Sequence, residues 1–357
     1  MNFNFILDEN FLAYQILKRK LYNESEEIEE IKKKLLSSNK IGYKKILGEE
    51  ILNPVVYINN DSNVRLLIDE LINTKKFDEI YKLYSGTSKD IIAIKILNGM
   101  IKEDDELTKI KDNLWYKHMR AYKSIFNIEF SSISTFLSDD DIKNIIQDFK
   151  KTEEFKKMYI ETELYLKKIK EYWKKNKNMI NNFLKQILKI DFDIQPTVYI
   201  VHPNAYTGYS FDSDKIAWGH YKGIDDQNYN LTYLIHEGLH CLLPFGENET
   251  EDECNIKHSI IELISDYELY SLLKRESTLK EGHPYLEKYK RFIYPYWLRY
   301  IGLDNEQIIQ RLKIDHVNSN DLMDIEDSDV STMDIQKFIE FCNNKYMMFL
   351  NKSSNKR

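Results

Sequence analysis

Residues 228–244 read Asn-Tyr-Asn-Leu-Thr-Tyr-Leu-Ile-His-Glu-Gly-Leu-His-Cys-Leu-Leu-Pro. Leu231, Leu234, Ile235, Leu239 and Leu242 recur at the spacing of a helix with one face against a core, and Pro244 ends the segment. Asn228 or Asn230 is the expected cap. On such a helix His236 and His240 differ by about 40° in direction and about 6 Å in height, so both imidazoles can reach one ion. Glu237 points about 100° away from His236, beside the pair rather than within it. A carboxylate placed there can take a proton from a metal-bound water without itself ligating the metal.

Downstream, Glu262-Leu-Ile-Ser-Asp266 lies inside a second helical pattern formed by Ile256, Ile260, Ile261, Leu263, Ile264 and Tyr267. An open catalytic zinc site needs three protein ligands and a water, and Glu262 is the candidate third ligand. Asp266, one turn further on, can accept the second N–H of a ligating imidazole and so fix its tautomer. Both acids sit among large aliphatic residues, where an unpaired carboxylate is costly. His258 shares the face of Glu262 and reads as a half-exposed histidine paired with an acid, or as an outer partner of the metal site. Cys241 points away from His240 and reads as helix packing. The acidic run 247–253 lacks the alternation and central Gly of a calcium loop and reads as acids ahead of a helix N-terminus.

Upstream of these motifs, Pro196–Val201 and Lys215–Gly219 read as short strands, with a loop from His202 to Ser210 between them. Residues 3–190 read as successive helices, with Phe11, Leu12, Ile16, Leu17 and Leu21 in one and Leu66, Leu67, Leu71 and Ile72 in another. Ser138-Asp-Asp-Asp141 resembles a helix start. The Lys-rich stretch 150–189 reads as a core stripe of aromatics with a solvated Lys/Glu face rather than a nucleic-acid surface. The expected division is a helical region over 1–193 and a catalytic domain over 194–357.

Composition agrees with this reading. The 357 residues include only 11 Gly and 6 Pro, too few for the turns of a many-stranded β fold, and the 13% aromatic content excludes a disordered chain. A net charge of −7 gives no field to attract nucleic acid. Three cysteines without a CxxC, and no long apolar run, lead to the expectation of a cytoplasmic protein with no membrane partner. The expected class is α+β, predominantly α, with a small sheet.

Together, His236-Glu-x-x-His240 and Glu262-x-x-Ser-Asp266 resemble the gluzincin metallopeptidases, the thermolysin-like group. The segments Gly208-Tyr-Ser and Ile216-Ala-Trp also resemble families of predicted bacterial zinc-dependent proteases, and the similarity spans residues 196–270. The resemblance implies Zn²⁺ held by His236, His240 and Glu262, with Asp266 behind a ligand and a peptide or protein as substrate. It also implies that Ile216, Ala217 and Trp218 form an edge strand pairing with an extended substrate. Gluzincins use a later Tyr or His to stabilise the oxyanion, but no downstream motif here matches theirs. Candidates chosen by chemistry are Tyr294, Tyr296, Arg299, Tyr300, His283, Tyr206 and Tyr209. The expected reaction is zinc-assisted peptide hydrolysis. A zinc hydrolase of non-peptide amides or esters would carry the same residues. So would a non-catalytic zinc-containing binding or regulatory protein, although Glu237 argues for catalysis.

Overall fold

Four short strands build the sheet: β1 (Asn4–Ile6), β2 (Thr197–Ile200), β3 (Thr207–Phe211) and β4 (Lys215–Gly219), in the order β1-β2-β4-β3. They belong to a computed structural model that describes residues 1–18, 21–39, 140–205, 207–211, 214–220, 226–246, 249–273, 277–317 and 330–354. The expected helix at Leu66–Ile72 and the candidate Tyr206 lie outside the described residues. Strands β1, β2 and β4 run parallel, and β3 pairs antiparallel with β4. The chain is α+β and predominantly helical.

Two expectations about the sheet are corrected. Residues 207–211 form a strand although 202–210 read as a loop, and among the described residues β3 is an edge. Glycine hides this in the sequence. A Cβ on Gly208 would stand 2.5 Å from Trp218 Cζ3, so the bare backbone is what lets the indole pack over the strand. Ile216, Ala217 and Trp218 are therefore not an edge. Their strand lies between β2 and β3, and all three side chains are at most 1% exposed. A buried strand of this kind reads as a short apolar run whether it is central or marginal, so composition alone could not place it.

The chain divides into two compact units, one of residues 1–6, 163–203 and 207–357 and the other of residues 7–162 and 204–206. This differs from a boundary near 193, because β1 joins the sheet through its parallel register with β2, Phe5 opposite Val198. In the smaller unit, α1 (Glu9–Lys18), α2 (Glu26–Ser38), α3 (Asp140–Lys150) and the start of α4 (Glu153–Leu188) bury Phe11, Leu12, Ile145, Ile146 and Phe149. Acids in the first turn of α3 match the start signal at 138–141.

The larger unit takes the rest of α4, which buries Tyr165, Ile169 and Trp173 of the expected stripe, continued by Ile180 and Leu184, while Leu164 is exposed and Tyr172 only half-buried. It also holds α5 (Gln227–Leu242), α6 (Glu251–Glu262), α7 (Glu287–Tyr300), α8 (Asn305–Ile314) and α9 (Ile335–Ser354). Helix α6 continues through a π-helical stretch, Leu263–Leu269, into Tyr270–Leu272. No described helix is long and apolar enough to cross a membrane.

The cap of α5 is Asp226, whose Oδ1 accepts from Tyr229 N at 3.0 Å, and not Asn228 or Asn230. Asn230 is buried one turn in, where its Oδ1 accepts from Trp218 Nε1 (3.2 Å) and Tyr165 Oη (3.0 Å). That amide ties α5 to β4 and α4 and fixes how the His-bearing face is presented.

Candidate metal centre

Helix α5 supplies His236 and His240, whose Nε2 atoms are 3.2 Å apart. The third imidazole comes from α6: His258 Nε2 lies 3.1 Å from His236 Nε2. The ligating atoms of all three residues fall within 4.8 Å of one another. Two nitrogens bound tetrahedrally to one zinc at 2.0–2.1 Å stand roughly 3.4 Å apart, so this spacing fits a divalent metal. The sequence places His258 as a half-exposed histidine paired with an acid or as an outer partner of the site. Its place in the cluster was not legible, because His258 and Glu262 are one turn apart on one face and either can be aimed at the pair.

Thr250 starts α6 with a capping box, its Oγ1 accepting from Glu253 N while Glu253 Oε2 accepts from Thr250 N. The described part of the acidic run, residues 249–253, thus leads into and opens a helix. At the other end of α6, the π-helical stretch carries Ser265 and Asp266 toward α5. Asp266 Oδ2 is 3.3 Å from His236 Nδ1, and Ser265 Oγ is 3.4 Å from the same nitrogen. Asp266 therefore sits where it can hold the Nδ1 proton and leave the Nε2 lone pair facing the other imidazoles.

The three histidines differ electrostatically. Burial pulls the His236 pKa down, but the charge and hydrogen bond of Asp266, with Glu237 and Glu262, raise it to about 9. His240 is pushed well below the ordinary histidine value by burial and by the charges of His236, His283 and Lys257. Burial and its like-charged neighbours take His258 down to about 2. Two of the three rings are held neutral, the form that ligates.

Glu262 occupies a different arrangement. Its carboxylate is fully buried, with Lys290 Nζ 2.6 Å from Oε2 and both the backbone N and Nδ1 of His283 2.7 Å from Oε1. Burial would raise its pKa, but His283 and Lys290 together bring it below the usual range. Gly282 makes this possible. Its φ is +83°, and a Cβ there would stand 2.4 Å from Glu262 Cδ, so a side chain would displace the carboxylate. Of the expected metal residues the structure brings His236 and His240 together with His258, and places Glu262, paired with Lys290 and His283, in a second group with His258 and His283 whose ligating atoms also lie within 4.8 Å of one another.

Glu237 sits beside His236 and accepts a hydrogen bond from the backbone N–H of Ser210 on the edge strand. Burial raises its pKa above the ordinary carboxylate value, against the opposing effects of His236 and the Ser210 hydrogen bond. Cys241 does not join the cluster, and burial pushes its thiol up to about 12.

Among the described oxyanion candidates, His283 reaches the imidazoles: its ring centroid is 4.8 Å from His258, and its side chain is about half exposed. Tyr294 and Tyr300 are corrected. Both are fully buried, Tyr294 bonded to Tyr267 and Asp315, and Tyr300 donating to Ile187 O at 2.6 Å. Tyr296 packs on Phe292 and Phe341, and Arg299 bonds Asn305. Tyr209 lies on β3 opposite Ala217, next to the residue that holds Glu237. One residue was missed: the exposed Tyr285, 5.4 Å from the His283 ring. Its only signal was adjacency to His283 and Pro284 in a turn-like stretch.

No protein-family model, curated protein or solved structure matches the chain.

Proposed function

We propose that the protein is a zinc-dependent hydrolase of peptide bonds, with the metal held by His236, His240 and His258. The observation that carries this reading is the convergence of three imidazole Nε2 atoms beside a carboxylate that is raised in pKa and is not one of them. Zn²⁺ bound there would polarise the scissile carbonyl and acidify a water.

Glu237 takes the proton of the attacking water and passes it to the leaving amine. Its raised pKa moves it toward the range where a carboxylate both accepts and returns a proton near neutrality. The Ser210 N–H fixes the side chain in place. His283, oriented through Nδ1 by Glu262, presents its exposed face as the donor to the developing oxyanion. Peptide rather than small-ester chemistry is favoured by β3: an edge strand next to the base offers main-chain groups to an extended chain.

The test is Glu237→Gln. Zinc content should stay at the wild-type level while peptide cleavage falls by about 10²–10⁴-fold. Cleavage at the wild-type rate by that variant would refute the mechanism.

A further inference from the structure

A second set of donors converges one turn along α6 from the three-histidine cluster. His258, Glu262 and His283 each offer one ligating atom, and the three atoms lie within 4.8 Å of one another. Two imidazoles and a carboxylate make this set chemically distinct from the first. His258 belongs to both.

The tightest pair already shares one proton. Glu262 Oε1 accepts from His283 Nδ1 at 2.7 Å, and both atoms carry a lone pair that a cation can take in place of that proton. Two donors on one tetrahedral ion stand roughly 3.4 Å apart, so the pair must open slightly. His283 can supply the movement, because its side chain is 49% exposed while Glu262 is fully buried. The same half-exposed ring is the way in from solvent, and water can complete the tetrahedron.

Glu262 has the surroundings of a ligating carboxylate. Lys290 Nζ lies 2.6 Å from Oε2, which leaves Oε1 to face His283, and the His283 backbone N–H donates to Oε1 at 2.7 Å. Carboxylates that bind metals are held by outer partners of this kind. Gly282 keeps the approach clear: a Cβ there would stand 2.5 Å from each Glu262 oxygen. Ligand type, ligand number, outer partners and an entry path are the features a metal site must show together, and all four are present.

We propose that His258, Glu262 and His283 bind a second divalent ion of the zinc type, beside the one held by His236, His240 and His258. His258 gives one ring nitrogen to each ion, which sets the two about 6 Å apart. The second ion releases the remaining ring proton of His258 to solvent, and the proton on His283 Nδ1 moves to Nε2. Magnesium and calcium, which take oxygen ligands, suit this set less well. The proposal rests on the three-histidine reading for the first ion. It also completes the role given to His283, because a ring with a metal on Nδ1 carries its N–H at Nε2 while neutral and can donate from there.

The test is a zinc titration of the metal-free, full-length chain in competition with a chromophoric chelator, read as zinc bound per chain. The wild type should take two ions in separate steps, the second more than about 10-fold weaker because the ions repel. His283→Gln keeps a hydrogen-bond donor for Glu262 without the imidazole, and it should lose the second step alone. Glu262→Gln should do the same. A wild type that saturates at one zinc, or a second step that survives either substitution, overturns the proposal and leaves the three-histidine site standing. A single step that is lost in Glu262→Gln and kept in His283→Gln overturns both, as does a wild type that binds no zinc.

Discussion

Helix α6 carries two polar clusters one turn apart, and they are built on opposite logic. At Glu262 the counter-charge is internal: Lys290 and His283 meet the carboxylate, and it is stable in its ionised form without help. At His258 the arrangement is different. Three imidazole nitrogens face one another, two of the rings are held neutral, and the carboxylate within 4.8 Å of His258 is that of Glu262, which Lys290 and His283 already meet. A buried ion pair with both partners in place is a structural unit, whereas the converging imidazoles are met either by the proton that His236, with a pKa of about 9, carries near neutrality or by a metal cation that displaces it. The difference underlies the proposal that the three histidines bind the metal and that Glu262 positions His283.

That assignment can be broken most directly by exchanging the roles. His258→Ala should lose zinc, with affinity falling by more than the 10–100-fold typical of losing an outer hydrogen-bond partner. Glu262→Gln should keep close to one zinc per chain in the same metal analysis. If Glu262→Gln loses the metal and His258→Ala retains it, the ligand set is the one the gluzincin resemblance implied.

The next effect belongs to the structural cluster. Lys290 is 2% exposed against a fully buried Glu262. Lys290→Met leaves a buried carboxylate with only His283, and removing one partner of such a pair typically costs about 3–5 kcal/mol. Chemical denaturation should show a loss of that order. A loss under about 1 kcal/mol would mean that water reaches Glu262 and that the two clusters are not as different as drawn.

How much of this was written in the sequence depends on whether a local period or a distant partner decided each feature. The periodic leucines of α5, the i,i+4 histidines and the acids of the capping box act within one helix, so spacing alone placed them. The place of Asp266 behind an imidazole was also legible, although the π-helical stretch that turns it toward His236 was not. What failed was set by residues far away in the chain. Whether His258 or Glu262 meets the pair depends on Lys290 and Gly282, both from beyond the end of α6. The edge strand depends on Trp218 covering Gly208, and the cap of α5 on Asn230 being claimed by Trp218 and Tyr165. The tyrosines of α7 have the right chemistry, yet core packing and Asp315 take them away from the site.

The smallest expected effect separates the clusters by pH. Glu262 has its pKa lowered in the folded protein: burial works against this, but His283 and Lys290 prevail. A carboxyl with a lower pKa folded than unfolded contributes stability that is fully present above the unfolded value of about 4.3. The contribution is lost as pH falls from there through the folded value, at about 1.4 kcal/mol for each unit of difference. Glu262→Gln has no such proton to take up. Its stability should therefore fall less steeply than that of the wild type below about pH 4.3, on top of a constant offset from the unmatched Lys290. Denaturation midpoints of the metal-free proteins between pH 7 and pH 3 would show the two curves converging. Parallel curves would mean that Glu262 titrates alike in both states, and the internal counter-charge that separates it from the histidines would lose its support.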